Sequence, residues 1–480
     1  MKHTNKVKIF TVGMEPYWID YLLTPISQLA RIEFTHGLVG CASRIISEQK
    51  KYPNTKFVSL SKFKSSPLPD PDYELLKSLE GPGVPTIRSM VIGDPFLKNR
   101  SEREALGYAT LLASNLMKNL NETQPDIVLG NFDCIHSGIG LAVARAVDIP
   151  WVALTFTGIP RDLTSFCFTL CPDMIVPISN STSDDYKEKA EMLINMVISG
   201  KQNIVGYIAP NSLKSWGKNV LEQIINFSSR AITKNKDYLD QFVKPTTLDS
   251  CMDLVRRSVN LFSLPKSRLL MKPPKNRYIY YPLHMSPESM IDTWAPFYQD
   301  QLAFVAQLSI SIPSDVDLVV KIHFSDPANY SYFKLNKMMK YFKVKFASPF
   351  ASGSEFIEQA SLVVGITGTS NLEAALRGIP VLMFADHPYL HFPRTERARR
   401  PDQIFDQVFR MLKLPPPGQD EIAEAFATYM ARYLPGRINV WSEDINPDDF
   451  KKYADCFTAL ATYLQSPEIR ENWYKQFPFI

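Results

Sequence analysis

An α/β chain of two doubly wound halves is what this sequence predicts, and three observations predict it. Short apolar runs alternate with stretches of helical period in the first half. The alternation stops at a connector, residues 264–277 (LPKSRLLMKPPKNR), rich in proline and cations. It restarts at residue 278. Strand–helix alternation builds parallel sheets with helices on both faces. Two such units make two Rossmann-like domains facing across a cleft, with ligands at the carboxyl ends of the strands. The expected domains are 1–265, with a helical insertion at about 183–245, then 278–446, then a helical segment 447–480.

The elements follow in order. Val7–Val12 and Phe57–Leu60 are apolar runs of strand length, and Glu102–Leu120 has helical period. Asp126–Leu129 is a strand, Ser137–Val147 a helix, and Trp151–Leu154 a strand after Ile149-Pro150. Met174–Pro177 is a further strand candidate. In the second half, Tyr278–Tyr281, Leu318–Ile322 and Phe342–Lys345 are strands, with Pro296–Ser309 in a helix. Leu362–Gly365, Ser370–Arg377 and Val381–Phe384 form a strand–helix–strand unit, stopped between helix and second strand by Gly378 and Pro380. Residues 420–433 and 447–464 are closing helices.

Composition narrows the function classes. The chain has 480 residues, 45% hydrophobic and 21% charged, enough for two or three cored domains. A net charge of +4 is too diffuse to argue for nucleic acid, and fits anionic small ligands. The cysteines at 41, 134, 167, 171, 251 and 456 lack zinc-ligand spacing and read as reduced thiols. The amino terminus, MKHTNKVKIFTVGME, has too short an apolar run for a signal peptide, and no stretch has the length of a membrane span. A soluble cytoplasmic protein is expected.

The turn after Leu362–Gly365 carries Thr367, Gly368, Thr369 and Ser370 at a helix start. Backbone N–H groups there attract anions, and glycine admits a phosphate closely. Glu373, one turn on, suits a sugar-hydroxyl acceptor. Ser370 and Glu373 also spell S-x-x-E, a capping box, so both readings stand. No Walker-type G-x-x-x-x-G-K-[ST] and no G-x-S-x-G elbow occurs.

Strand ends supply the other candidates. His284 and Glu288 share the loop after Tyr278–Tyr281, where a carboxylate acts as a base or orients one. Glu288 after Pro287 also suits a plain helix start. Lys321 and His323 alternate onto one side of their strand, an anion site or a solvated strand end. Asp133 and His136 follow Asp126–Leu129 and face the cleft from the other wall, where either activates an acceptor hydroxyl; Asp133 or Ser137 also caps the helix. Gly13 to Pro16 lie at a similar strand end. Pro388 between His387 and His391 argues against zinc. Arg394, Arg397, Arg399 and Arg400 form either a phosphate clamp or a solvated loop.

Three ordered segments carry a family likeness. YIYYPLHMSPESMIDTWAPFYQDQ (278–301), Val320-Lys321-Ile322-His323 and ITGTSNLEAALRGIP (366–380) resemble segments of the bacterial capsule polysaccharide biosynthesis proteins, which include the capsule Kdo transferases. Residues 275–390 carry the likeness well, and PDIVLGNFDCIHSGIGLAVARAVDIPW more loosely. The resemblance implies a GT-B fold and metal-independent sugar transfer without a cofactor. It places the acceptor on the first domain and the nucleotide-sugar on the second. It maps a functional glutamate to Glu288, a histidine to His323 and the phosphate loop to Gly368 and Thr369. Ser286 and Phe324 depart from the family pattern, which has glutamine and proline there. The expected partners are a nucleotide-sugar donor, first a CMP-linked acid such as Kdo, and a glycan or glycolipid acceptor. Peripheral association with inner-membrane assembly machinery goes with them. A UDP- or GDP-sugar transferase, a nucleotide-sugar epimerase and a non-catalytic polysaccharide-assembly protein are the alternatives.

Overall fold

The structure is a computed structural model, and it describes residues 6–14, 18–29, 32–38, 42–60, 68–131, 135–201, 247–263, 266–286, 288–293, 295–324, 329–436, 447–466 and 473. Most of the expected insertion, 202–245, lies outside the described residues, and so does Asp133.

The first sheet contains β1 (Val7–Val12), β2 (Ile32–Leu38), β3 (Lys56–Ser59), β4 (Ile127–Gly130), β5 (Trp151–Phe156) and β6 (Leu163–Phe168). The second contains β7 (Tyr278–Pro282), β8 (Asp317–Lys321), β9 (Lys345–Ala347), β10 (Leu362–Gly365), β11 (Val381–Met383) and β12 (Thr395–Arg397). A two-residue strand, β13 (Leu434–Pro435), completes the first sheet. The orders are β13-β6-β5-β4-β1-β2-β3 and β12-β11-β10-β7-β8-β9. Every pair in the second sheet is parallel. In the first, the β5–β6 and β6–β13 pairs are antiparallel and the others parallel. Both sheets run third-second-first-fourth-fifth, the doubly wound order, so each has a switch point where the chain direction reverses.

Burial explains why these runs are strands. Alternate residues of β7 serve two cores: Tyr278 and Tyr280 pack with Leu372 and Leu376, while Ile279 and Tyr281 pack with Phe304 and Val305. A strand buried on both faces needs a continuous apolar run, which YIYY and LVVG supply. The helix Glu102–Thr123 starts at a full capping box, Ser101 with Glu104.

Some expectations need correcting. Phe342 closes the helix Tyr332–Tyr341, and β9 starts only at Lys345. Met174–Pro177 forms no strand beyond a single bridge, Ile175 to Cys167. β2, β6 and β12 were not expected. β2 hides because Thr35 and His36 interrupt its apolar run, yet both are buried, with His36 Nδ1 2.8 Å from Thr11 Oγ1. The connector is not a free tether. Leu270 N donates to Phe346 O and Ser348 N to Leu270 O, both at 2.8 Å, so this segment lies along the β9 edge.

The carboxyl-terminal third returns to the first sheet. β13 pairs with Leu163 and Thr164. On the helix Pro447–Leu464, Phe457 is 1% exposed, with its ring 5.0 Å from Phe166 and 6.1 Å from Phe34. Conversely, the helix Lys187–Ile198 buries Leu193, Ile194 and Val197 with Phe426 and Tyr429 of the helix Gln419–Ala431. Truncating Phe457 to alanine removes the ring that holds the terminal helix to the first sheet. The expected loss is about 3–5 kcal/mol in urea denaturation.

Candidate functional site at the second switch point

The switch point of the second sheet lies between β7 and β10, and two expected site loops meet there. β7 runs into Leu283, whose N–H donates to Lys321 O at 2.9 Å. Gln301, 1% exposed, then clasps the backbone of His284. Its Oε1 accepts from His284 N at 2.7 Å, and its Nε2 donates to His284 O at 3.2 Å. The imidazole is thereby fixed from behind. Its Nδ1 lies 3.5 Å from Glu288 Oε2. Its Nε2 is buried and has no hydrogen-bond partner among the described residues.

Glu288 does begin a helix, the short turn Ser289–Asp292. Its carbonyl accepts from Ile291 N and Asp292 N, and its N–H donates to Asp292 Oδ2 at 3.0 Å. That work is done by the backbone. The carboxylate, one-quarter exposed, is left facing His284.

From the other side, β10 ends at Gly365 and the chain turns into the helix Thr369–Leu376. Gly368 is the N-cap, at φ +98° and ψ 161°, with no side chain capping the helix. The expected Ser370–Glu373 capping box is therefore absent: the helix starts two residues too early for it. The first N–H groups of such a helix have no partner within the helix. A Cβ on Gly368 would sit 3.1 Å from His284 Cε1, so the turn and the imidazole are in near contact. Asn371 shapes the turn, with Nδ2 donating to Thr367 O at 3.0 Å and Oδ1 buried without a partner among the described residues. A Cβ on Gly365 would collide with that amide.

β8 delivers Lys321 and His323 to the same place. Lys321 is buried, and its Nζ donates to Ile322 O at 3.3 Å and Pro349 O at 3.2 Å. Burial lowers its pKa from 10.5 to about 8. Burial also lowers His323 to about 4, while Glu288 pulls it upward and His284 and Lys321 push it down. The ring of Phe324 stacks on His323 at 4.6 Å. Four sequence candidates, His284, Glu288, Lys321 and His323, thus share one electrostatic neighbourhood beside Gly368.

Glu373 does something else. It is 6% exposed, its Oε1 lies 3.2 Å from an Arg377 nitrogen, and it also hydrogen-bonds Ser354. Burial pushes its carboxyl upward against the pull of Ser354 and Arg377. Arg377 also donates to Val197 O at 3.0 Å.

The first half contributes by approach. A Cβ on Gly158, in the loop after β5, would lie 3.3 Å from Thr369 Cγ2 and 3.0 Å from the Tyr389 hydroxyl. Gln299 Nε2 reaches Ile92 O at 3.5 Å. His136 does not join this site and is corrected to a core residue. It is 3% exposed, with Nε2 2.9 Å from the Tyr108 hydroxyl, and burial lowers its pKa to about 3. Ser137 tethers Asn131, whose Nδ2 donates to Gly13 O at 3.0 Å across the first switch point. The arginine cluster forms no clamp. Arg394 donates to Gly378 O and Leu414 O, Arg397 pairs with Asp386, and Arg400 with Asp402. Among the described residues, no group of three or more His, Cys, Asp or Glu is placed to hold a metal ion, and no helix is long and apolar enough to cross a membrane.

The fold is α/β and GT-B-like. That assignment rests on two sheets of doubly wound order whose loops meet. No family model and no curated protein matches the sequence. Several solved structures are similar at low level. One is a UDP-GlcNAc 2-epimerase from Methanocaldococcus jannaschii, at 15% identity over 88% of this chain and 98% of that one, TM-score 0.25. Another is the KpsC β-Kdo 2,7-transferase of Thermosulfurimonas dismutans, at 10% identity over 88% and 89%, TM-score 0.33. The β-Kdo 2,4-transferase of the same KpsC is similar at 13% identity over 63% and 79%, TM-score 0.28.

Two predictions follow from the geometry. Glu373→Ala strands Arg377 as a buried, unpaired charge, so it lowers stability by about 3–5 kcal/mol in chemical denaturation, against about 1 kcal/mol for a lost cap. Lys321, at about 8 when folded and 10.5 when not, leaves the folded chain with fewer bound protons between those values. Stability therefore rises with pH from about 8 to 10.5. Denaturation midpoints of Lys321→Met lack that rise.

Proposed function

We propose that this chain transfers a sugar from a nucleotide-activated donor, with the donor phosphate seated between Gly368 and His284. One observation carries the reading. A buried imidazole nitrogen without a hydrogen-bond partner among the described residues faces an uncapped helix start at the switch point of a doubly wound sheet. A phosphate satisfies both, because it accepts from the helix N–H groups and from the imidazole.

The chemistry follows from the placement. The acceptor hydroxyl attacks the anomeric carbon, and the bond from that carbon to the phosphate oxygen breaks. The nucleotide leaves with the bonding electrons, and the hydroxyl proton passes to a base. Glu288 faces His284 Nδ1, and the imidazole donates from Nε2 to the leaving phosphate. Lys321 opposes the same charge from β8, and His323, just past it, offers a ring N–H as a donor. Glu288 or Asp133, the latter outside the described residues, takes the acceptor proton. The finer reading is a CMP-linked acid sugar of the Kdo type, transferred to a surface polysaccharide or its lipid acceptor without a metal. Only the likeness of residues 275–390 to capsule polysaccharide proteins supports it.

Calorimetric titration with CMP, UDP and GDP tests the site first. One nucleotide binds, and Gly368→Val abolishes that binding, since the new side chain meets His284 and the backbone sits at positive φ. Turnover with the matching sugar donor is the second test. Glu288→Gln lowers it by about 100-fold or more with donor affinity little changed. His323→Ala weakens donor binding as well as turnover. Binding of none of the three nucleotides, or epimerisation of the donor sugar without transfer, rejects the assignment.

A further inference from the structure

We propose that one face of the second half docks the protein on an anionic lipid surface. The face is built from residues 266–277 and the helix Tyr332–Tyr341, and the helix Thr247–Phe262 precedes it in the chain with an exposed stripe of its own.

The first helix is apolar where it should be polar. Met252, Val255, Val259 and Phe262 are 63%, 59%, 61% and 83% exposed. Their spacing puts all four on one stripe, while Asn260, off that stripe, is 7% exposed. The second helix repeats the pattern. Leu335 and Met338 point into the core, and Phe333 and Tyr341 stand out at 81% and 66% exposed, with Lys337 and Lys340 between them. Arg268 ties the connector to the second helix, donating from Nη1 to Asn336 Oδ1 at 3.0 Å. Met271, 57% exposed, adds another apolar tip where the connector lies along β9.

Charge selects the occupant. Residues 266–277 and 331–345 hold ten Lys and Arg and no Asp or Glu. The whole chain is net +4, so removing these ten leaves the remainder at net −6. Positive charge is therefore concentrated on the connector and the second helix, beside Met271, Phe333 and Tyr341, although Lys345 is paired with Asp317. A second copy of the chain, seated face to face, would set like charges against each other. A nucleic acid would gain from the cations but not from an aliphatic stripe. A bilayer with anionic headgroups uses both, burying the apolar tips at the acyl boundary and pairing the cations with the headgroups.

Co-sedimentation of the full chain with vesicles tests this. The chain binds vesicles of phosphatidylcholine mixed with phosphatidylglycerol, binds phosphatidylcholine alone far more weakly, and is released by salt. Lys337→Gln and Lys340→Gln each weaken binding by about fivefold. Phe262→Ser with Phe333→Ser abolishes it at unchanged melting temperature, because both rings are exposed. The lysine variants keep the test valid if the serine pair misfolds. Absence of binding to anionic vesicles overturns the proposal, as does binding that neither set of variants weakens. A dimer in solution that the serine pair dissociates, or an RNA affinity that it abolishes, also overturns it, because the stripe would then serve another partner.

Discussion

The chain lays down β7, β8 and β9 in one direction across the second sheet, then returns to the middle to place β10 against β7. Everything at the candidate site depends on that return. Two neighbouring parallel strands whose following connections diverge leave a crevice that no other strand can fill. His284 leaves β7 on one side and Gly368 leaves β10 on the other. Gln301 then holds the His284 backbone at both its N–H and its carbonyl, anchoring the residue that carries the imidazole.

The charged groups around this crevice are held by burial more than by one another. Lys321 is satisfied by two carbonyls and has no carboxylate among its hydrogen-bond partners in the described structure. His323 is held largely neutral, with Glu288 the group that favours its charged form. An anion entering such a region meets cations and dipoles that water screens poorly, which strengthens each contact relative to the surface. The buried Glu373–Arg377 pair is different in kind. It is closed on itself and fixes the helix Thr369–Leu376 against the helix Lys187–Ile198.

The doubly wound plan was legible because strands such as IVLG and LVVG are short apolar runs between helical stretches, and their order follows from alternation. The site was legible in part. His284, Glu288, Lys321, His323 and Gly368 announce themselves by lying just after apolar runs. Gln301 and Asn371 did not, since each sits in a helix and looks like an ordinary polar residue; only the backbone atoms they reach, in His284 and Thr367, give them a role. Glu373 misled because S-x-x-E is the spelling of a cap, and the structure starts the helix at Gly368 instead. His136 misled because a strand end resembles a site even when its side chain turns inward to Tyr108. β2 escaped notice because a buried hydrogen-bonded His36–Thr11 pair reads locally as polar surface.

The return of the chain to the first sheet has a mechanical consequence. The backbone crosses between the two sheets twice, once through the connector that borders β9 and again at β13, before the helix Pro447–Leu464. A body tied by a single cord can swing in any direction. Two separated cords leave free mainly the rotation about the line that joins them. Any relative motion of the two sheets is thereby restrained at two separated points, and the loop carrying Gly158 is held close to Thr369.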